Sequence, residues 1–226
     1  MKPIDDDKGL PLAQQVLDTL LAGINAGKYQ PGQRIIATDL CEQLGVSLAP
    51  VREALHVLAG QNVVELHRNR GAVLCPLSHQ DIIDFWTVIA APISLSVRLA
   101  AGKIHKADNA ERVIKNMQQI AERARQATLF DSYIKVNEYH YLLNEISENP
   151  FLESLFNRYF IAYWERFLAN ALQDNYDVEE YIHNYQRLTD SILCGDAQTA
   201  ESAWNYHVGW TTAVLCRQAQ EKASTE

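Results

Sequence analysis

Apolar residues recur at helical spacing along most of this chain and switch to a strand-like pattern in one short stretch. Between Leu10 and Ala26, Leu12, Val16, Leu20 and Ile24 fall on one helical face, and Gly27 ends the run. Leu40 and Leu44 point to a shorter helix, with Thr38 as the expected N-cap and Gly45 as its end. A third helix follows directly: Val51, Ala54, Leu55 and Leu58 repeat at i, i+3, i+4 and i+7, Ser47 stands at the cap, and Pro50 lies in the first turn, where its missing N–H costs little. After Asn62 the pattern changes. The runs "VVELH" and "AVLC", separated by "RNRG", predict a two-stranded hairpin with Gly71 near the turn.

From Ser78 onward the pattern is helical again. Helices are expected near 78–103, 107–128, 129–148, 150–172, 177–194 and 197–220, and Ser78 with Asp81 resembles a capping box with Asp in the usual Glu position. Six helices with no strand signal predict an α-bundle. The fold class is therefore mainly α: a winged helix-turn-helix over residues 1–76, then an all-helical bundle of about six helices over 77–226. The third helix turns Leu48, Ala49, Arg52 and His56 away from its apolar face, and only Arg52 among them carries a fixed charge. That is the face a recognition helix offers to the major groove.

Composition changes this picture little. With 47% hydrophobic and 21% charged residues the chain reads as an ordinary globular protein. No uninterrupted apolar run reaches the roughly 18 residues of a membrane span, and the acidic start "MKPIDDDKG" lacks a signal-peptide layout, so a cytoplasmic protein without a membrane partner is expected. Cys41, Cys75, Cys194 and Cys216 form no C-x-x-C pair and are expected to be small buried hydrophobes. The formal charge of −8 seems at odds with a nucleic-acid partner, but it is unevenly placed: residues 1–76 carry −1 and residues 77–226 carry −7. A near-neutral head on an acidic body is compatible with DNA at the head only.

The runs "INAGKYQPGQRI", "LCEQLGVS", "PVREAL" and "RNRGAV" stand in the order and spacing of the DNA-binding domain of the GntR family of bacterial transcription regulators, which the head resembles. The tail resembles the FCD effector domain of the FadR branch, through Tyr139-His140, Leu143, Ser147, Asn149, Leu152 and "GDAQTAESAWNYH" ending at His207. The resemblance implies a homodimer on double-stranded operator DNA, with binding modulated by a small metabolite, an organic acid being the expected kind. On that basis Arg34, Ser47, Leu48, Ala49, Arg52, His56, Arg68, Arg70 and Gly71 are the candidate DNA contacts. Arg52 is suited to guanine or phosphate, Arg34 to phosphate, and the wing arginines to the minor groove or its phosphates. Where many members of the family have Arg-Thr, this chain has Leu48-Ala49, an apolar pair able to meet a thymine methyl but not to fork onto guanine.

Many FCD domains hold a divalent metal through one Asp and three His. Carried over by position, those ligands fall on Val136, His140, Tyr185 and His207, so only the two histidines match. Asn137 and His183 lie one and two residues from the vacant positions, about 100° and 200° around a helix. No metal cofactor is expected; a divalent metal is the less favoured alternative to a water-filled or directly hydrogen-bonding pocket. His140, Asn144, Tyr185 and His207 are its candidate lining, with Arg98 as a candidate partner for an anionic effector. The aromatic series Phe156, Tyr159, Phe160, Tyr163, Trp164 and Phe167 reads as bundle core.

Two other functions compete. A helical-bundle metal-dependent enzyme is suggested by Glu180-x-x-His183, but a di-iron site needs that motif twice with two further Glu residues. A winged-helix protein-interaction module is the other, against which the paired wing arginines count.

Overall fold

The first helix, α1 (Leu12–Asn25), turns Val16, Leu20 and Ile24 into a core that leaves them nearly inaccessible. It packs on α3 (Leu48–Gly60), whose Val51, Ala54, Leu55 and Leu58 are all buried, and the short α2 (Ala37–Leu44) adds Leu40 and Leu44. Gly45 ends α2 in the left-handed conformation at φ 68°, where glycine bears no steric cost. The computed structural model describes residues 10–67, 71–126, 129–156, 167–168, 171–172 and 177–223.

The hairpin forms as the alternation predicts, with β2 (Val64–His67) antiparallel to β3 (Gly71–Leu74). A third strand was not foreseen. Arg34 and Ile35 form β1, which pairs with β3 on its other edge and gives the order β1-β3-β2. Backbone bonds from Gly32 N–H to the Leu74 carbonyl (2.7 Å) and from Leu74 N–H to the Gln33 carbonyl (3.0 Å) continue that pairing into the Pro-Gly turn. A two-residue strand leaves no readable period, so the sequence pattern missed it. It also explains Gly71: at φ 82°, a Cβ there would stand 2.5 Å from the Ile35 carbonyl oxygen.

The described chain divides into two compact units at Leu77/Ser78. The second opens with α4 (His79–Ala101), started by a complete capping box: the Asp81 N–H donates to Ser78 Oγ at 3.1 Å, and the Ser78 N–H donates to Asp81 Oδ2 at 2.7 Å. There follow α5 (Asn109–Gln126), α6 (Leu129–Ser147), α7 (Pro150–Leu155), α8 (Val178–Leu193) and α9 (Ala197–Ala223). The expected helix over 150–172 is broken, because α7 stops at Leu155 and Phe156 leaves helical geometry at ψ 73°. Residues 167–168 and 171–172 are helical.

By length and composition α4 is apolar enough to cross a membrane, with a mean hydropathy of 1.5 over its best window. Here much of that apolar surface packs inside the bundle, where α4 lies against α9 and α6 and buries Ile82, Phe85, Trp86, Ile89, Ile93 and Val97.

Three local expectations need correction. Thr38 does not cap α2: the helix starts at Ala37 behind Ile36, and the Thr38 hydroxyl bonds Asp39 instead. Ser47 has the extended backbone of an N-cap, but its hydroxyl makes no capping bond. The cysteines are not buried hydrophobes, since Cys41 and Cys75 are half-buried and Cys194 and Cys216 exposed.

Candidate functional site

Two groups of residues stand out, one in each unit. On α3 the buried stripe fixes the opposite face in solvent: Ser47, Ala49, Arg52 and His56 are exposed, and Leu48 is half-buried beneath them. Among the described residues Arg52 forms no ion pair with Glu42 or Glu53, the two acids near it in sequence. Its side chain is exposed. Ser47 leaves the first turn of α3 without a side-chain cap, so the backbone N–H groups there keep their capacity to bind an oxygen from outside. Arg34 is exposed on β1, at the sheet edge opposite β2. Arg68 and Arg70 lie outside the described residues; the strands that carry them end at His67 and resume at Gly71.

The second group lies inside the helical unit. His140 on α6, Tyr185 on α8 and Trp204 and His207 on α9 are buried and in mutual ring contact. Ring centroids are 5.1 Å apart for His140 and Trp204, 4.7 Å for Tyr185 and His207, and 5.6 Å for Trp204 and His207. Two indole bonds tie α9 to α4: Trp204 donates to the Ala90 carbonyl at 2.9 Å and Trp86 to the Val208 carbonyl at 3.4 Å. The Tyr185 hydroxyl meets His140 Nε2 at 3.1 Å, and Asn144, one turn beyond His140, accepts from the Ser96 hydroxyl. Sequence reading thus found four of these residues, and the fold brings His140, Tyr185 and His207 together.

Arg98 does not join them. It is half exposed and its Nε lies 3.3 Å from Glu201 Oε2, so it links α4 to α9 at the surface rather than lining the cluster. Thr211, Asn184 and Gln218 were missed. Each is buried, and among the described residues the Thr211 hydroxyl and both polar atoms of the Asn184 and Gln218 amides lack a hydrogen-bond partner, as do His140 Nδ1, His207 Nδ1 and Asn144 Nδ2. A signal existed: Thr211 and Gln218 continue the helical face of His207 at i+4 and i+11, so polar residues interrupt what should be an apolar stripe.

Burial dominates the titration of this cluster. It pushes His140 down to about 3, and it pushes His207 to about 3 with a further contribution from His140. Both rings are therefore neutral near pH 7.

The metal site implied by the resemblance does not fit these residues. Val136, at the carboxylate position, is a buried hydrocarbon, and Tyr185 places its hydroxyl on the ring nitrogen of His140. Asn137 is half-buried and His183 is exposed, so neither replaces a missing ligand. Among the described residues no three His, Cys, Asp or Glu side chains gather as a metal would require. Glu180 and His183 stand in the first two turns of α8, where Glu180 faces the Tyr206 hydroxyl at 3.5 Å. Of the aromatic series, Phe156 is buried as core; Tyr159, Phe160, Tyr163 and Trp164 lie outside the described residues.

Comparison with known proteins agrees with this division. Residues 12–74 match the model for bacterial regulatory proteins of the gntR family, and residues 94–209 match the FCD domain. Over 198 residues the chain is 26% identical to a probable D-xylose utilization operon transcriptional repressor of Paenarthrobacter nicotinovorans, covering 87% of this chain and 85% of that one. It is 23% identical to the galactonate operon transcriptional repressor of Escherichia coli, covering 84% and 90%. The solved structure of E. coli McbR/YncC superposes with a TM-score of 0.73 at 21% identity, covering 92% of this chain and 99% of that one.

Proposed function

Because this chain belongs to the gntR family of bacterial regulatory proteins, with an FCD domain in its helical unit, we propose that it is a repressor whose hold on operator DNA is set by a small metabolite. The observation that carries the DNA-binding part is the outer face of α3. There Arg52 stands exposed, flanked by Ala49 and His56, on a helix whose opposite side is fully committed to the core. A guanidinium in that position meets a guanine edge or a phosphate, and the half-buried Leu48 with Ala49 offers methyl contacts to thymine. Arg34 and the wing arginines supply phosphate contacts around it.

The functional unit is a homodimer acting in the cytoplasm, where the DNA is. One winged head contacts too few base pairs for genomic specificity, and two-fold pairing doubles the contacts without new sequence. The outer face of α4 suits a partner copy: Val88 is 72% exposed and Leu95 41%, with Thr87 and Ala91 alongside. The effector part rests on the buried polar cluster of α6, α8 and α9. Relatives named for the D-xylose utilization and galactonate operons support a sugar-related signal. Relatives named as operon repressors favour a regulator over an enzyme.

The test is equilibrium binding of the full-length protein to fragments flanking its own gene, by fluorescence anisotropy over a series of salt concentrations. Affinity should fall steeply and linearly on logarithmic axes as phosphate-bound counterions are released. A chain that binds no fragment at low salt, with or without candidate sugars and sugar acids, is not this regulator.

A further inference from the structure

The first turn of α3 carries no side chain able to make a hydrogen bond. Leu48, Ala49, Pro50 and Val51 follow one another there, and Pro50 also lacks a backbone N–H. Val51 is turned into the core, Ala49 is exposed, and Leu48 and Pro50 are half-buried. Leu48 stands three residues before Val51 and seven before Leu55, so it lies at the edge of the buried stripe, packed on one side and open to solvent on the other. The first polar side chain of the helix is Arg52. The outer face of α3 thus begins with methyl groups and becomes cationic one turn later. We infer that Leu48 and Ala49 are specificity-determining residues that read the C5-methyl group of a pyrimidine in the major groove, so that each half-site carries thymine where α3 begins. This rests on the DNA-binding reading above and assigns the chemical group that this part of the site selects.

The leading residues of a recognition helix are the ones that reach base edges. In the major groove guanine shows two acceptors, adenine an acceptor and an amino donor, cytosine an amino donor, and thymine an acceptor beside a methyl. Pressed against leucine and alanine, an amino group or the paired acceptors of guanine lose water and gain no partner, which costs free energy. The thymine methyl loses only apolar hydration and gains contact. Placement adds to the preference. Leu48 is already packed on its core side, and alanine has no rotamers to lose, so ordering the pair against a base costs little entropy. Arg52 lies four residues further on, about 6 Å along the helix axis, which spans about two base steps. The thymine and the group met by Arg52 therefore fall close together within a half-site. Because the contact is to the methyl and not to the rest of the base, 5-methylcytosine is favoured over cytosine at the same position.

The experiment uses the full-length protein on duplexes that it enriches from a random pool, with affinity measured by fluorescence anisotropy at one salt concentration. Enriched half-sites should share a thymine. Replacing that thymine by deoxyuridine, which removes only the methyl, should weaken wild-type binding about three- to fivefold. With cytosine at that position, adding a 5-methyl group should strengthen binding by a similar factor. The double variant Leu48→Ala/Ala49→Gly should flatten both differences. Leu48→Asn, which supplies an amide suited to adenine, should instead change the enriched base from thymine to adenine. A change of preference, unlike a loss of binding, does not arise from a protein that fails to fold.

Deoxyuridine that binds as well as thymine at every position of the half-site would overturn the inference. So would a methyl effect that persists unchanged in the double variant, or a Leu48→Asn protein that enriches the same half-site as the wild type. Wild-type protein that enriches a half-site but ignores the methyl removes this inference alone; protein that enriches no duplex at low salt removes the regulator reading and this inference with it.

Discussion

The outer face of α3 and the interior of the helical unit both offer polar groups that find no partner among the described residues, but they do so in opposite solvents. Arg52 and His56 stand in water, where the guanidinium and imidazole are fully hydrated and their availability has no stability cost. His140, His207 and Thr211 are buried, and their atoms that find no partner among the described residues lower stability. The first arrangement suits a large, charged partner that exchanges with water and counterions. The second suits a small molecule that must be enclosed, with its binding energy available to shift the protein between states.

The comparison breaks most readily with pH. His140 and His207 are held near 3 in the folded protein, against about 6.5 in the unfolded chain. Between those values the unfolded state binds more protons, so stability falls as pH drops below about 6.5, by up to about 1.4 kcal/mol per pH unit for each ring. Denaturant titrations from pH 7 to pH 4 should show this slope, and the double variant His140→Phe/His207→Phe should flatten it.

Single substitutions sharpen the contrast further. Trp204→Ala removes a fully buried indole and its bond to the Ala90 carbonyl, and should cost about 3–5 kcal/mol in chemical unfolding. Arg52→Ala should leave the unfolding curve unchanged and weaken operator binding by about 1–3 kcal/mol in anisotropy titrations. Ser78→Ala, which breaks the capping box of α4, should lower stability by about 1 kcal/mol without affecting DNA binding directly.

Much of this was legible in the sequence, and the boundary of legibility has a physical basis. The 3.6-residue period of Val51, Ala54, Leu55 and Leu58 placed the buried side of α3, and the outward face followed from it. The Ser78-x-x-Asp81 spacing announced the start of α4 because capping is a local interaction. The strand β1 was not legible, since two residues carry no period and their pairing to β3 is long-range. The break after Leu155 was hidden because helical spacing of apolar residues runs straight through it. In the buried cluster of the helical unit, His140, Tyr185 and His207 were named by position within a resemblance, whereas Thr211 and Asn184 required burial to become visible. The place of Arg98 was not legible because one helix carries both a core face and a surface face, and the packed structure puts it at the surface beside Glu201.

The central claim is that the α3 face reads operator bases through Arg52. The most direct measurement is the ratio of affinities for a fragment flanking the gene and for the same fragment with its bases shuffled, taken at one salt concentration with wild type and Arg52→Ala. The wild type should prefer the native fragment strongly and the variant should lose much of that preference. A variant that loses affinity equally for both fragments would contradict base reading by Arg52 and reduce it to a phosphate contact.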